Sequence, residues 1–415
     1  MNKVERFVYD FVKKNAILKN AIVKLYQLPF SIIGRSKGRI NSDYEYLVYE
    51  DSFFGFHDKP SLNAQKKLLS HTEDSDFICG MGRARINVVD IESSKSIISG
   101  LTTKCCNYQQ GSMLAWYKED SFIYNDSNDI GNPVTRVVDL NGKLLEEFNF
   151  HFCSISKSGE YISSINYCRF GIGMPGYGYD IEYPQFYTDD ATINIPESGV
   201  SDLLILETKG HKILKRFSIN ELLHLSVGLL KNGYFYFSHT SFSPLSKKMF
   251  FLLRSSNKYT NTSQLFVYDI QKDSLITIPT GGMVSHLSWL DENNIVLYCN
   301  NTKGEDSYYC ASVENDMPRL DALNISSLTS DGHPYCFSNK KEFITDNYPD
   351  RERRQSLKLI NITSKSETTL LDIYSPSKFR GVVRVDLHPR LSEDENYITI
   401  DSSHLNKRCQ VVLKL

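Results

Sequence analysis

The chain has 415 residues, 12% of them aromatic with 25 Tyr and 23 Phe, and a formal net charge of −2. That length admits two or three ordinary domains or one large repeat fold, and the near-neutral balance gives no electrostatic case for nucleic acid, so none is expected as a partner. Nine scattered cysteines with no CxxC, no secretory signal at the start and no apolar run of about 18 residues predict reduced thiols, a cytoplasmic location and no membrane-spanning helix.

Charge is nonetheless segregated. The first 39 residues carry six Lys and three Arg against Glu5 and Asp10, a net +7. Val4, Phe7, Val8 and Phe11, then Leu18, Ile22 and Leu25, follow the spacing of an amphipathic α-helix that Pro29 should stop. Residues 1–40 are therefore read as a basic helical segment. It either lies on an anionic membrane surface, peripheral at the inner face, or packs on protein; periodicity does not separate the two.

Residues 41–415 read as an internal repeat. "KPSLNAQKKLLSHT" from Lys59, "MLAWYKEDSFIYND" from Met113 and "FCSISKSGEYISSIN" from Phe152 are weaker copies. The clearer ones begin at His239, His286, His333 and His388. In these four a core-type residue follows three positions later (Phe242, Trp289, Cys336, Leu391), then a polar turn and an apolar strand. Further strands such as "QLFVYDI" and "SYYCASV" follow, so each unit supplies about four strands within about 40–50 residues, the pattern of a propeller blade. Seven units predict an all-β, seven-bladed β-propeller. The last stops after its third strand, "CQVVLKL", and the spare segment near 44–50 is expected to close the ring as its outer strand.

Between Phe152 and His239 lie 87 positions, nearly two periods, so an insertion of about 30–40 residues is expected at the third or fourth blade. It includes "NYCRFGIGMPGYGYDIEYP" (166–184), whose Arg169, Tyr177 and Tyr179 can contact sugars or carboxylates, Tyr also as a proton donor; a turn with aromatics packed down is the alternative. Asp58 and Lys59 in "FFGFHDKP" fall at a channel-facing position, where Lys59 neutralises an anionic ligand or pairs with Asp58.

First strands of propeller blades line the central channel, so His239, His286, His333 and His388 are predicted to converge. Several neutral imidazoles at one point suit a divalent transition metal such as Zn, Mn, Fe or Ni, with Asp331 and Asp386 as outer partners. His57, His71, His151, His211, His224 and His404 fall outside this register, although His404 in "IDSSHLNKR" can reach the channel mouth. No P-loop, nucleophile elbow or helix-opening GxGxxG is present.

At "DGHPYCFSNKKEFITDNYPDRERR" and "DLHPRLSEDENYITIDSSH" the sequence resembles the oligogalacturonate lyase and TolB-like group of bacterial β-propellers. "FFGFHDKP", "MPGYGYD", "GGMVSHLSW", "ITDNYPD" and "VDLHPR" together look like a branch of that group associated with bacterial surface-polysaccharide genes. The resemblance spans about residues 45–415 and implies a seven-bladed fold. From the lyases it implies a channel-mouth site where histidines hold a metal and a His, Tyr, Lys or Arg performs β-elimination on a uronate. His286, His333 and His388 would then be the metal ligands, with His239 as fourth ligand or base.

The function expected is therefore a carbohydrate-active propeller acting on an acidic, uronate-containing surface glycan or its lipid-linked precursor by metal-assisted β-elimination. Its catalytic candidates are His239, Tyr179, Arg169 and Lys59, and its substrate contacts Tyr177, Asp58 and His404. An exported lyase would carry a signal, so work at the cytoplasmic membrane face is expected instead. A non-catalytic scaffold for polysaccharide assembly and a glycan transferase or modifying enzyme are the alternatives.

Overall fold

The computed structural model describes residues 29–30, 32–35, 38–78, 80–118, 120–179, 181, 203–226, 233–257, 260–314 and 317–415. The amphipathic pattern read over residues 1–40 falls largely outside them. Seven antiparallel sheets follow one another along the chain as the blades of a β-propeller, spanning 67–107, 115–148, 152–217, 234–277, 284–322, 335–374 and 390–414. Among the described residues no helix is long and apolar enough to cross a membrane.

The core lies between blades rather than inside any one of them. Phe250, Leu252 and Ile276 of blade 4 pack with Trp289, Ile295 and Leu297 of blade 5; Ile344, Leu357 and Leu371 of blade 6 pack with Leu391, Ile398 and Ile400 of blade 7. Each sheet buries both faces against its neighbours, so central strands read as near-continuous apolar runs such as Lys248–Ser256, "KMFFLLRSS". Phe242, Trp289, Cys336 and Leu391, the recurrent core positions of the repeat, are all buried.

Closure uses the two ends of the repeat region. Tyr46–Glu50 pairs antiparallel with Cys409–Lys414, Val48 opposite Val411, as the outer strand of blade 7. Ile40–Asn41 adds a fifth strand to blade 6 through Ile373 and Asp372. Blade 1 is the irregular one. Its innermost segment touches the sheet only at isolated bridges, Phe53 to His71 and Leu62 to Leu68.

Two inserts leave the ring. Between Tyr161–Ser164 and Leu203–Glu207 of blade 3 runs a stretch that includes the helix Tyr167–Gly173, capped by Asn166, whose side chain accepts from the Arg169 N–H. The Gly-Tyr-Gly-Tyr segment folds back on this helix. A Cβ on Gly178 would sit 2.9 Å from both Gly171 Cα and Tyr167 O, and its φ of +80° also favours glycine. A second short helix, Ile219–Leu225, precedes blade 4.

A chain starting at residue 51 leaves Cys409–Lys414 as an open edge. It is expected to unfold at lower temperature and to form soluble assemblies in size-exclusion chromatography, whereas removal of residues 1–28 leaves both properties unchanged. Acid sensitivity is also built in. Burial lowers His71 and His151 from the ordinary 6.5 to about 4. Both are neutral in the fold yet protonate on unfolding below pH 6.5, so stability is full above that value and falls as pH drops toward 4, by on the order of 3 kcal/mol for each site. Urea unfolding across that window should show the loss, with a shallower slope in His71→Asn.

Candidate metal centre

At three of the blades the residue in the histidine position of the repeat turns a left-handed corner. Met113, His239 and His388 occupy the same repeat position, and all three take left-handed φ values of 57°, 52° and 45°. Histidine tolerates this region better than most side chains. In the neighbouring strands Tyr234–Phe242 and Val284–Trp289, the pairing register slips around His239 and His286. Such irregularities re-aim a side chain out of the regular ladder.

The corners bring imidazoles together. The ring centroids of His286 and His333 lie 4.0 Å apart and those of His333 and His388 4.4 Å apart. His57, from the irregular segment of blade 1, joins them at 5.3 Å from His333, 5.8 Å from His286 and 6.2 Å from His388. His239 lies apart. Its ring neighbours are Phe56 at 5.0 Å, Phe170 at 6.0 Å and Tyr177 at 6.2 Å, and Phe56 also faces His388 at 5.3 Å.

Carboxylates fix the rings from behind. Asp346, at the end of the second strand of blade 6, accepts the His333 backbone N–H at 2.8 Å, its Nδ1–H at 2.8 Å and the His388 backbone N–H at 3.3 Å. His286 Nδ1 lies 3.1 Å from Asp331, and His57 Nδ1 donates to the Pro334 carbonyl at 3.0 Å. In all three rings the proton sits on Nδ1, leaving the Nε2 lone pair available. Asp386, expected only as an outer partner, instead offers an oxygen within 4.8 Å of donor atoms on both His333 and His388, and all three residues are buried. Arg384 donates to Asp386 Oδ2 at 2.6 Å, whereas Asp386 Oδ1, His388 Nε2, His57 Nε2 and His239 Nδ1 are buried with no hydrogen-bond partner among the described residues.

Electrostatics keep most of this set neutral. Burial first, then the neighbouring His333, hold His57 and His388 well below the usual histidine value and lower His286. His239 is held well below by burial and then by Arg254. Burial pulls His333 down too, but the Asp346 carboxylate outweighs it and leaves this ring above the ordinary value. A nitrogen-rich, largely neutral donor set with one carboxylate fits a divalent transition metal better than Ca or Mg, which prefer all-oxygen shells.

The remaining candidates are spread more widely. Lys59 pairs with Asp58 at 2.5 Å, and its charge bears on His239. The Tyr177 hydroxyl accepts from Arg384 at 3.4 Å. The Tyr179 ring stacks on Tyr167 at 4.9 Å, and its hydroxyl accepts from Asn125 at 3.0 Å. Arg169 is buried, donating to the Phe235 carbonyl with its guanidinium over the Tyr234 ring. His404 bonds Ser402 at 2.8 Å and lines a separate cavity toward the edge of blades 6 and 7.

Repeat register missed four contributors. His57 falls outside the register because "KPSLNA" aligns on the other units with Lys59, two residues on, at the histidine position; the adjacent "FHD" is the signal that marks it. Asp346 was visible in the recurring Ile-Thr-Asp and Ile-Asp strand ends without an assigned role. Arg254 is half-buried, its pKa lowered chiefly by burial; it donates to Ser238 Oγ at 2.9 Å and has no carboxylate at ion-pair distance among the described residues. The Tyr348 ring, 38% exposed, lies 5.6 Å from that of His333. No spacing rule marks these last two.

No family model matches the chain, and no curated protein matches it in sequence. Among solved structures it is similar to an oligogalacturonate lyase in complex with manganese, at 13% identity and a TM-score of 0.57, covering 91% of this chain and 98% of that one. An oligogalacturonate lyase from Vibrio parahaemolyticus gives 11% identity, a TM-score of 0.57 and the same coverage. TolB from Acinetobacter baumannii is similar at 11% identity and a TM-score of 0.39, over 84% of this chain and 80% of its own. At these identities the likeness to the lyases is one of fold.

Adding Mn or Zn to metal-stripped protein is expected to raise the unfolding temperature of the wild type but not of His388→Ala. Asp346→Asn, which leaves one acceptor oxygen, should weaken metal affinity about 10–100-fold in a calorimetric titration. Asp346→Ala strands three buried donors and should destabilise the fold by about 3–5 kcal/mol.

Proposed function

We propose that this chain is a metal-assisted, carbohydrate-active propeller that cleaves an acidic, uronate-containing glycan by β-elimination. The observation that carries the reading is the trio His333, Asp386 and His388, three buried donors within 4.8 Å of one another. Beside it, the half-buried Arg254 is without a carboxylate partner among the described residues. The fold shared with two oligogalacturonate lyases supports it, one of them a manganese complex.

Elimination on a uronate removes the proton α to the carboxylate and breaks the β C–O bond, giving an unsaturated sugar and a leaving-group oxygen that takes up a proton, from the protonated base or from water, to depart as an alcohol. A divalent cation held by His333, Asp386 and His388, with His286 and His57 close by, would supply Lewis acidity toward the uronate carboxylate. The chain's own residues do the rest. Arg254 is suited to bind and orient a carboxylate in two-pronged fashion, and the partly exposed Tyr348 ring offers a face for a sugar. His239, kept neutral by burial and with an Nδ1 that has no hydrogen-bond partner among the described residues, is suited to take the proton. Lys59 and Asp58 form an ion pair that can open to meet a second acidic group. Tyr179 and Arg169, engaged by Asn125 and Phe235, hold the insert against the ring.

The finer reading places the substrate among bacterial surface glycans or their lipid-linked precursors, handled at the cytoplasmic face of a membrane that residues 1–40 would contact. It rests on the segregated charge of that segment and on the motif resemblance.

Incubating metal-loaded protein with a panel of uronate oligosaccharides should produce the far-ultraviolet absorbance of an unsaturated uronate. His239→Ala should lower kcat by about 10²–10⁴ with metal content unchanged. A metal-loaded protein that yields no unsaturated product from any member of the panel would turn the reading toward a non-catalytic scaffold.

A further inference from the structure

A second cavity, of about 210 Å³, opens where blades 6 and 7 meet the start of the described chain. Its walls include Arg35, Arg39, Tyr374, Lys378, His404 and Asn406, with no acidic residue among them. The three cations come from two segments brought together by closure, Arg35 and Arg39 from the chain before Ile40–Asn41 and Lys378 from the loop after Ser366–Tyr374. Tyr374 N–H donates to Arg39 O at 2.9 Å, which fixes the chain before Ile40–Asn41 against the end of Ser366–Tyr374. His404 and Asn406 sit on the turn between Tyr397–Ser402 and Cys409–Lys414.

Charge pairing separates this cavity from its neighbour. The adjoining space of about 410 Å³ shares Lys378 and Asn406 but contains acidic groups that are taken up: Lys407 pairs with Asp51 at 2.9 Å, and Arg408 lies 3.7 Å from Glu73. Glu50, the carboxylate that bears on His404, is held by Lys407 at 2.5 Å. Arg35, Arg39 and Lys378 have no carboxylate at ion-pair distance among the described residues. Three uncompensated cations around one polar cavity are electrostatically incomplete, and hydroxyl, amide and imidazole groups beside them supply neutral hydrogen-bonding capacity. Several cations at different angles suit a tetrahedral dianion better than a single planar carboxylate.

The geometry points to a binding site for a phosphoryl group, formed by Arg35, Arg39 and Lys378 with His404 at its wall, separate from the histidine centre. Strands of a blade alternate in direction, so the segment before an inner strand and the turn joining second and third strands open on the same face. The phosphoryl site and the His388 corner therefore share one face of the ring. The group can belong to a soluble phosphorylated molecule or to a lipid headgroup. The chemistry recognised is the same, and the source is separable by experiment.

The test uses the full chain and the double variant Arg39→Ala/Lys378→Ala, both exposed positions, whose unfolding temperature should equal that of the wild type. Inorganic phosphate is titrated calorimetrically at low salt, and sedimentation is measured with vesicles of phosphatidylcholine containing phosphatidic acid, whose phosphomonoester presents the same tetrahedral group. Saturable phosphate binding weakened about tenfold or more in the variant supports a site for soluble phosphoryl groups. Vesicle binding lost in the variant supports a headgroup site, even though the basic residues before Arg35 are retained. Equal binding by wild type and variant in both arms, or no binding in either, overturns the proposal. Neither arm depends on metal or lyase activity, so its failure is distinct from failure of the reading above.

Discussion

One buried carboxylate holds the candidate site in shape. Asp346 accepts the backbone N–H of His333 and of His388 together with the His333 ring proton, so a side chain on blade 6 fixes the corner of its own blade and that of the next. The same device recurs around the ring. Asp401 of blade 7 accepts the N–H groups of Phe54 and Gly55 in the blade 1 segment, at 3.0 and 2.8 Å, and Asn125 of blade 2 accepts that of Phe152 in blade 3 at 2.8 Å. Buried backbone donors at an irregular corner must be paired, and a short acidic or amide side chain at the end of the preceding second strand does it. The blades are thus tied along the channel by polar links and outward from it by apolar packing.

This division explains what the repeat means. A left-handed corner occurs at Met113, His239 and His388, and Met113 shows that the corner itself needs no histidine. Architecture accounts for the repetition, and chemistry for the choice of imidazole at four of the seven positions. Where imidazole and clamp coincide, at His333 and His388, a donor atom of each lies within 4.8 Å of the other and of Asp386. His239 keeps the corner but lies beyond Phe56, beside Arg254 and the Tyr177 insert, which separates a group suited to moving protons from groups suited to holding a cation.

Blade number and core positions were legible in the sequence because each blade buries both faces, so every unit repeats its apolar strands; Phe242, Trp289, Cys336 and Leu391 recur and are buried. A blade that lacks a strand after "CQVVLKL" needs one from elsewhere, and the spare segment 44–50 provides it, Tyr46–Glu50 pairing with Cys409–Lys414. Legibility fails where the ladder does. The segment from Phe53 to Leu62 meets its sheet only at isolated bridges, so spacing could not bring His57 into register. Arg254 lies in a central strand whose pattern reports burial rather than direction. For Tyr179 the sequence leaves open a sugar contact or a packed-down aromatic, and the close approach of Gly171 and Gly178 folds its segment onto the helix, with its hydroxyl on Asn125.

The central claim is that His333, Asp386 and His388 form one cation site at the axis. A crystal structure of protein loaded with manganese, with anomalous diffraction recorded at the manganese edge, tests it most directly. A single strong peak is expected within about 2.0–2.4 Å of a nitrogen from each of His333 and His388 and of an Asp386 oxygen, with Asp346 still on His333 Nδ1. Manganese bound elsewhere, or no peak between these residues in loaded protein, would contradict it.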